Sequence, residues 1–69
     1  MSDYAIIIPA YNEEAYLAAT ITAALEAMAG LAGEFGIGEL IVVNNNSSDR
    51  TGLVAEENGA HRVIFEPHN

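Results

Sequence analysis

The sequence predicts an α/β fold, a three-stranded parallel β-α-β-α-β segment, and three observations carry the prediction. Two apolar runs, Tyr4–Ile8 and Glu39–Val43, each drop into a short polar loop. A stretch with helical spacing lies between them. A shorter helical stretch and a third strand-like run, Arg62–Phe65, complete the order. Apolar runs without alternation suit strands buried on both faces of a parallel sheet. Such sheets take ligands just beyond the carboxyl ends of their strands, which here means Pro9–Glu13 and Asn44–Asp49.

In chain order, Tyr4–Ile8 is the first strand, and Pro9 ends it because proline has no N–H for a ladder. Asn12 suits an N-cap, and Glu13 and Glu14 place carboxylates in a first turn, where the helix dipole favours them. Leu17, Ile21, Ala24, Leu25 and Met28 recur at helical spacing, so a helix runs from about Glu13 to Ala29. Gly30 and Gly33 end it, and Leu31–Gly38 is a flexible surface connection. Glu39–Val43 is the second strand and Asn44–Ser48 a loop. Ser48 or Asp49 caps a second helix, which Gly52 weakens slightly near its start. It ends near Asn58, with Gly59 as a left-handed terminator. Right-handed crossovers that move the same way across the sheet put both helices on one face. The other face is then bare, and something outside this chain should cover it.

At 69 residues the chain allows one small domain with a marginal core. It has no cysteine, hence no disulfide, thiolate nucleophile or thiolate metal site. His61 and His68 are too scattered for a zinc site and are expected at the surface. The net charge is −8, with only Arg50 and Arg62 positive, which repels a phosphate backbone and argues against a nucleic-acid-binding module. The longest uninterrupted apolar run is far below the roughly 20 residues of a membrane helix. Asp3 stands where a signal segment would carry basic residues. No transmembrane segment and a cytoplasmic location are the expectation.

Chemistry concentrates in the two loops. Tyr11 offers a flat ring and a hydroxyl, and the backbone of Ala10 and Tyr11 is expected to be free for a ligand once the strand has stopped. Glu13 is an acceptor-only carboxylate at a helix start. A phosphate would suit the dipole there, but Glu13 and Glu14 repel it, so a ribose and a base fit better. Neither G-x-G-x-x-G nor a P-loop occurs. The blander readings are that Tyr11 packs on the helix and that Glu13 and Glu14 only complement its dipole. Asn44 directly follows the second strand, and its amide both donates and accepts, which suits the edge of a nucleobase. Asn45 and Asn46 suit a tight turn. Ser47, Ser48, Asp49 and Thr51 suit caps and loop hydrogen bonds.

Together, Ile-Ile-Pro-Ala-Tyr-Asn-Glu-Glu and, one helix later, Ile-Val-Val-Asn-Asn-Asn-Ser-Ser-Asp-Arg-Thr resemble the start of family 2 glycosyltransferases. Those enzymes have the Rossmann-like GT-A fold and transfer a sugar from a nucleotide-sugar donor. The resemblance implies that Pro9, Ala10 and Tyr11 line the nucleobase pocket, that Glu13 lies near the ribose, and that Asn44 replaces an aspartate that meets the base edge. It implies a UDP- or GDP-sugar as partner and a divalent cation (Mg or Mn) for the complete enzyme. Asn46 stands where the family has glycine. The family's Asp-x-Asp cation motif and its catalytic base have no counterpart here. No catalytic residue or metal ligand is therefore assigned, and residues 1–69 are expected to be a partial nucleotide-sugar-binding domain, inactive alone. An alternative is a self-associating module with a vestigial site, a homo-oligomer covering the exposed sheet face and the first-strand edge. A nucleotidyltransferase would need a glycine-rich basic loop, which Pro9–Glu14 lacks.

Overall fold

The computed structural model describes residues 2–45 and 49–67. The elements are β1 (Tyr4–Ala10), α1 (Glu14–Phe35), β2 (Gly38–Asn44), α2 (Thr51–Glu57) and β3 (Arg62–Phe65). The strands form one parallel sheet in the order β1-β2-β3. Register pairs Ile6 with Leu40, Ile8 with Val42 and Ala10 with Asn44; on the other side of β2, Val42 pairs with Val63 and Asn44 with Phe65. Ile6, Ile8, Ala10, Leu40, Val42 and Val63 pack with Leu17, Ile21 and Met28 of α1 and with Val54 and Ala55 of α2. That single layer of contact is the core, and both helices contribute to it.

Burial on both faces holds only at the centre of β2, where Leu40, Ile41 and Val42 are all buried. β1 alternates, with Ala5, Ile7 and Pro9 exposed and Ile6, Ile8 and Ala10 turned inward. Both helices cover one face, so the opposite face carries Ile7, Ile41 and Ile64 uncovered by either. Ile7 and Ile41 are cross-strand neighbours, yet Ile7 is 62% exposed and Ile41 only 8%. Ile41 has a strand on each side, whereas Ile7 sits on the sheet edge. At one rim of this face Arg62 pairs with Glu39 at 3.8 Å.

Three local expectations also change. Pro9 lies within β1 rather than ending it. The Ala10 carbonyl accepts the Asn45 N–H at 2.8 Å, so Ala10 faces β2 and its neighbour Pro9 turns its nitrogen to the free edge, where no ladder bond is lost. Second, α1 passes through Gly30 and Gly33 to Phe35. A helical glycine costs only about 1 kcal/mol relative to alanine, and strong helix formers surround these two. The stop is Gly36 at φ +83°. Third, the connection after α1 is held: Asp3 donates its N–H to the Ile37 carbonyl at 2.7 Å and accepts the Ile37 N–H on Oδ2 at 2.8 Å. A Cβ on Gly36 would strike that carboxylate.

The 22-residue α1 is, by length and composition alone, apolar enough to cross a membrane. In this fold its Leu17, Ile21 and Met28 stripe covers the sheet. Its last turns overhang β1, and a groove of about 400 Å³ there is lined by Asp3, Tyr4, Ile6, Leu31 and Phe35.

Candidate functional site at the strand carboxyl ends

The three strands finish together. Ala10, Asn44 and Phe65 are in register, and two bonds of 2.8 Å extend the pairing past them, from the Asn45 N–H to the Ala10 carbonyl and from the Glu66 N–H to the Asn44 carbonyl. The first loop then turns sharply through Asn12 at φ +50°, a conformation that asparagine tolerates better than most residues. Asn12 is therefore not the N-cap of α1. Glu13 holds that position, and no side-chain bond of its own caps the helix.

The cap comes from the second loop. The Glu13 N–H donates to Thr51 Oγ1 at 3.0 Å, and the Glu14 N–H donates to Asp49 Oδ2 at 3.2 Å. In return the Arg50 N–H donates to Glu14 Oε1 at 3.3 Å. Asp49 Oδ1 also accepts the Thr51 N–H at 3.0 Å and the Thr51 hydroxyl. One carboxylate thus serves the starts of both helices. Thr51 is fully buried, which fixes its hydroxyl between the loops. The Thr51 hydroxyl holds the Asp49 carboxyl below its ordinary value, against the opposing effect of desolvation, and the backbone N–H groups of Glu14 and Thr51 add to the lowering.

Of the five residues predicted for the site, the structure brings Ala10 and Asn44 side by side in register, with Pro9 and Tyr11 flanking Ala10 and Glu13 at the head of α1. Tyr11 is half exposed. Its N–H donates to Glu13 Oε1 at 3.3 Å, so the Glu13 carboxylate folds back on its own loop. The Ala10 carbonyl and the Tyr11 N–H are both engaged; the expectation of free backbone there fails because β1 continues beyond Pro9. The Asn44 side chain lies against the first turn of α2, and a Cβ on Gly52 would stand 2.8 Å from Asn44 Nδ2. Gly52 therefore makes room for this amide. The turn and caps expected at Asn46, Ser47 and Ser48, and the surface position of His68, lie outside the described residues.

Two consequences are chemical. The Glu14 N–H of α1 holds Asp49, the Tyr16 N–H turns to the Glu13 carbonyl, and three carboxylates, Glu13, Glu14 and Asp49, gather at this helix start, so an anion is disfavoured there. Among the described residues no three His, Asp or Glu side chains converge for a metal ion. Glu14 and Asp49 direct oxygens at backbone N–H groups, so the residues present do not fit a divalent cation. Local sequence does not mark Thr51 as a partner of the first loop. His61 is exposed, as expected, but its Nδ1 accepts the Leu40 N–H at 2.8 Å and closes the start of β2.

A β-α-β-α-β order with both helices on one face and paired loops at the strand ends is a Rossmann-like α/β unit, and its fold matches that of a GT-A glycosyltransferase. The chain belongs to glycosyl transferase family 2, whose model matches residues 5–69. Among solved structures it is similar to glucosyl-3-phosphoglycerate synthase from Mycobacterium tuberculosis, seen in complex with Mn2+, UDP and glucosyl-3-phosphoglycerate. The TM-score is 0.68 at 31% identity, over 93% of this chain and 21% of that one. The chain thus spans about a fifth of the length of that enzyme. No match was found among curated proteins.

Proposed function

We propose that this chain is the nucleotide-sugar-binding part of a family 2 glycosyltransferase, that Pro9, Ala10, Tyr11, Glu13 and Asn44 receive the nucleoside, and that it is inactive by itself. The observation that carries the reading is the half-exposed Tyr11 ring at the end of β1, in a loop pinned to the loop that follows Asn44. The similar synthase was solved with UDP, which favours a uridine donor. Its Mn2+ supports a divalent cation for the complete enzyme, held by residues other than those described here.

Titration of the chain with UDP and GDP by calorimetry tests this. UDP should bind, and Tyr11→Ala should weaken it about tenfold or more, since stacking of a base on an aromatic ring contributes roughly 1–3 kcal/mol. Equal affinity in Tyr11→Ala would remove the base pocket from this loop.

A second reading is self-association through the free edge of β1. Ala5 and Ile7 point their backbone groups to that edge, beside the apolar groove and the exposed Ile7 side chain. An antiparallel two-fold contact centred on Ile6 sets Ala5 opposite Ile7 of the second copy and would pair those groups. Two copies at −8 repel each other, so the dimer should strengthen as salt rises. A monomer by light scattering at high salt and high concentration would reject it.

A further inference from the structure

We propose that Glu14 and Asp49 are positioning residues: they clamp the two loops in the conformation that receives the nucleoside without touching the nucleotide themselves. The inference rests on the nucleotide-binding reading of the same loops. Its basis is a reciprocal pair of bonds between segments far apart in the chain. Glu14 gives its N–H to Asp49, and the residue after Asp49 gives its N–H to the Glu14 carboxylate. This is the logic of a capping box, built across two loops instead of within one helix start.

The first loop hangs from this clamp in series. Tyr11 is tied by its N–H to Glu13, Glu13 by its N–H to Thr51, and Thr51 by its hydroxyl to Asp49. The Glu14 carboxylate holds Arg50, between Asp49 and Thr51, and so steadies the segment from which that series hangs. Asp49 uses both carboxylate oxygens within the network, and Glu14 Oε1 is engaged by the second loop. The bonds between Glu14 and the Asp49–Arg50 segment are solvent-exposed, while the core lies under the sheet around Leu17, Ile21, Leu40 and Val42. Exposed polar links of this kind add little to global stability. What they set is the population of one loop conformation, and apparent affinity scales with that population.

The test compares the parent chain with Glu14→Ala and Glu14→Gln, using UDP as the probe, amide hydrogen exchange at Tyr11 and Glu13, and thermal melting. Glu14→Ala should bind UDP roughly tenfold more weakly if the competent population falls to about a tenth. Its Tyr11 and Glu13 amides should exchange faster while the melting temperature stays put. Glu14→Gln keeps the Oε1 acceptor and should match the parent in all three. If the parent binds UDP, Tyr11→Ala loses it and Glu14→Ala does not, the clamp is wrong and the nucleotide site stands. Glutamine as weak as alanine would also overturn it, because charge at the helix start would then matter instead of the bond. A parent that does not bind UDP removes the nucleotide reading and the clamp together.

Discussion

The two ends of the sheet are closed by the same device put to different use. At the amino end, Asp3 clasps Ile37 and the His61 imidazole accepts the Leu40 N–H, each bond sealing one strand start. Apolar packing backs them: the Tyr4 ring lies so close over Gly38 that a Cβ there would strike it. At the carboxyl end, Asp49, Thr51 and Glu14 form a chained set that joins two loops. The lesson is that volume governs the amino end, whereas single acceptors govern the carboxyl end. A site that must admit a ligand gains from the second arrangement, because polar links rearrange without opening the core.

Substitutions can break that contrast at either end. The largest effect is expected from Gly38→Val, which overfills the Tyr4 contact and should cost about 3 kcal/mol, read from urea unfolding. It should leave the amide exchange of Glu13 and Glu14 unchanged relative to the rest of the chain. Thr51→Val keeps the volume but strands the Glu13 N–H, and about 2 kcal/mol of destabilisation follows from an unmet donor. Here the exchange of the Glu13 amide should rise more than that of any core amide. Tyr4→Phe should act in the other direction. The Tyr4 hydroxyl is buried with no partner among the described residues, so removing it should raise stability by about 1 kcal/mol.

The smallest effect is acid sensitivity at the carboxyl end. The Asp49 carboxyl lies below its ordinary value in the folded chain. Its contribution is therefore fully present above the unfolded aspartate value and is lost as pH falls through the lower, folded one. On acidification the Glu14 and Thr51 amides should lose protection before those of β2. Asp49→Asn should abolish that pH step, and a step that persists in the variant would assign it to another carboxylate.

How much of this was legible in sequence follows from the range of each interaction. Strand order, the single helix-covered face and the bare opposite face follow from apolar runs and crossover handedness, and all three stand. The stop of α1 did not follow. Gly30 and Gly33 look like terminators, yet no other atoms lie within 4 Å of the Cβ either would carry, and the helix carries them. Gly36 is the terminator because Asp3, thirty-odd positions earlier, occupies the space beside it. The cap on α1 was equally out of reach: Asn12 has the right chemistry at the right offset, but Thr51 and Asp49 arrive from across the sheet. Tyr11 and Asn44 could be picked out because strand ends are local features; the bonds that orient Tyr11 are not.

Pro9 has a consequence for growth. With its nitrogen turned to the free edge of β1, that edge offers the N–H groups of Ala5 and Ile7 and then a blank. An incoming strand that pairs past Ile7 meets no donor at Pro9, so the ladder there is one bond short. The proline acts as a stop on a ruler: it shortens the row of donors that a flat run of isoleucines would otherwise present along this edge.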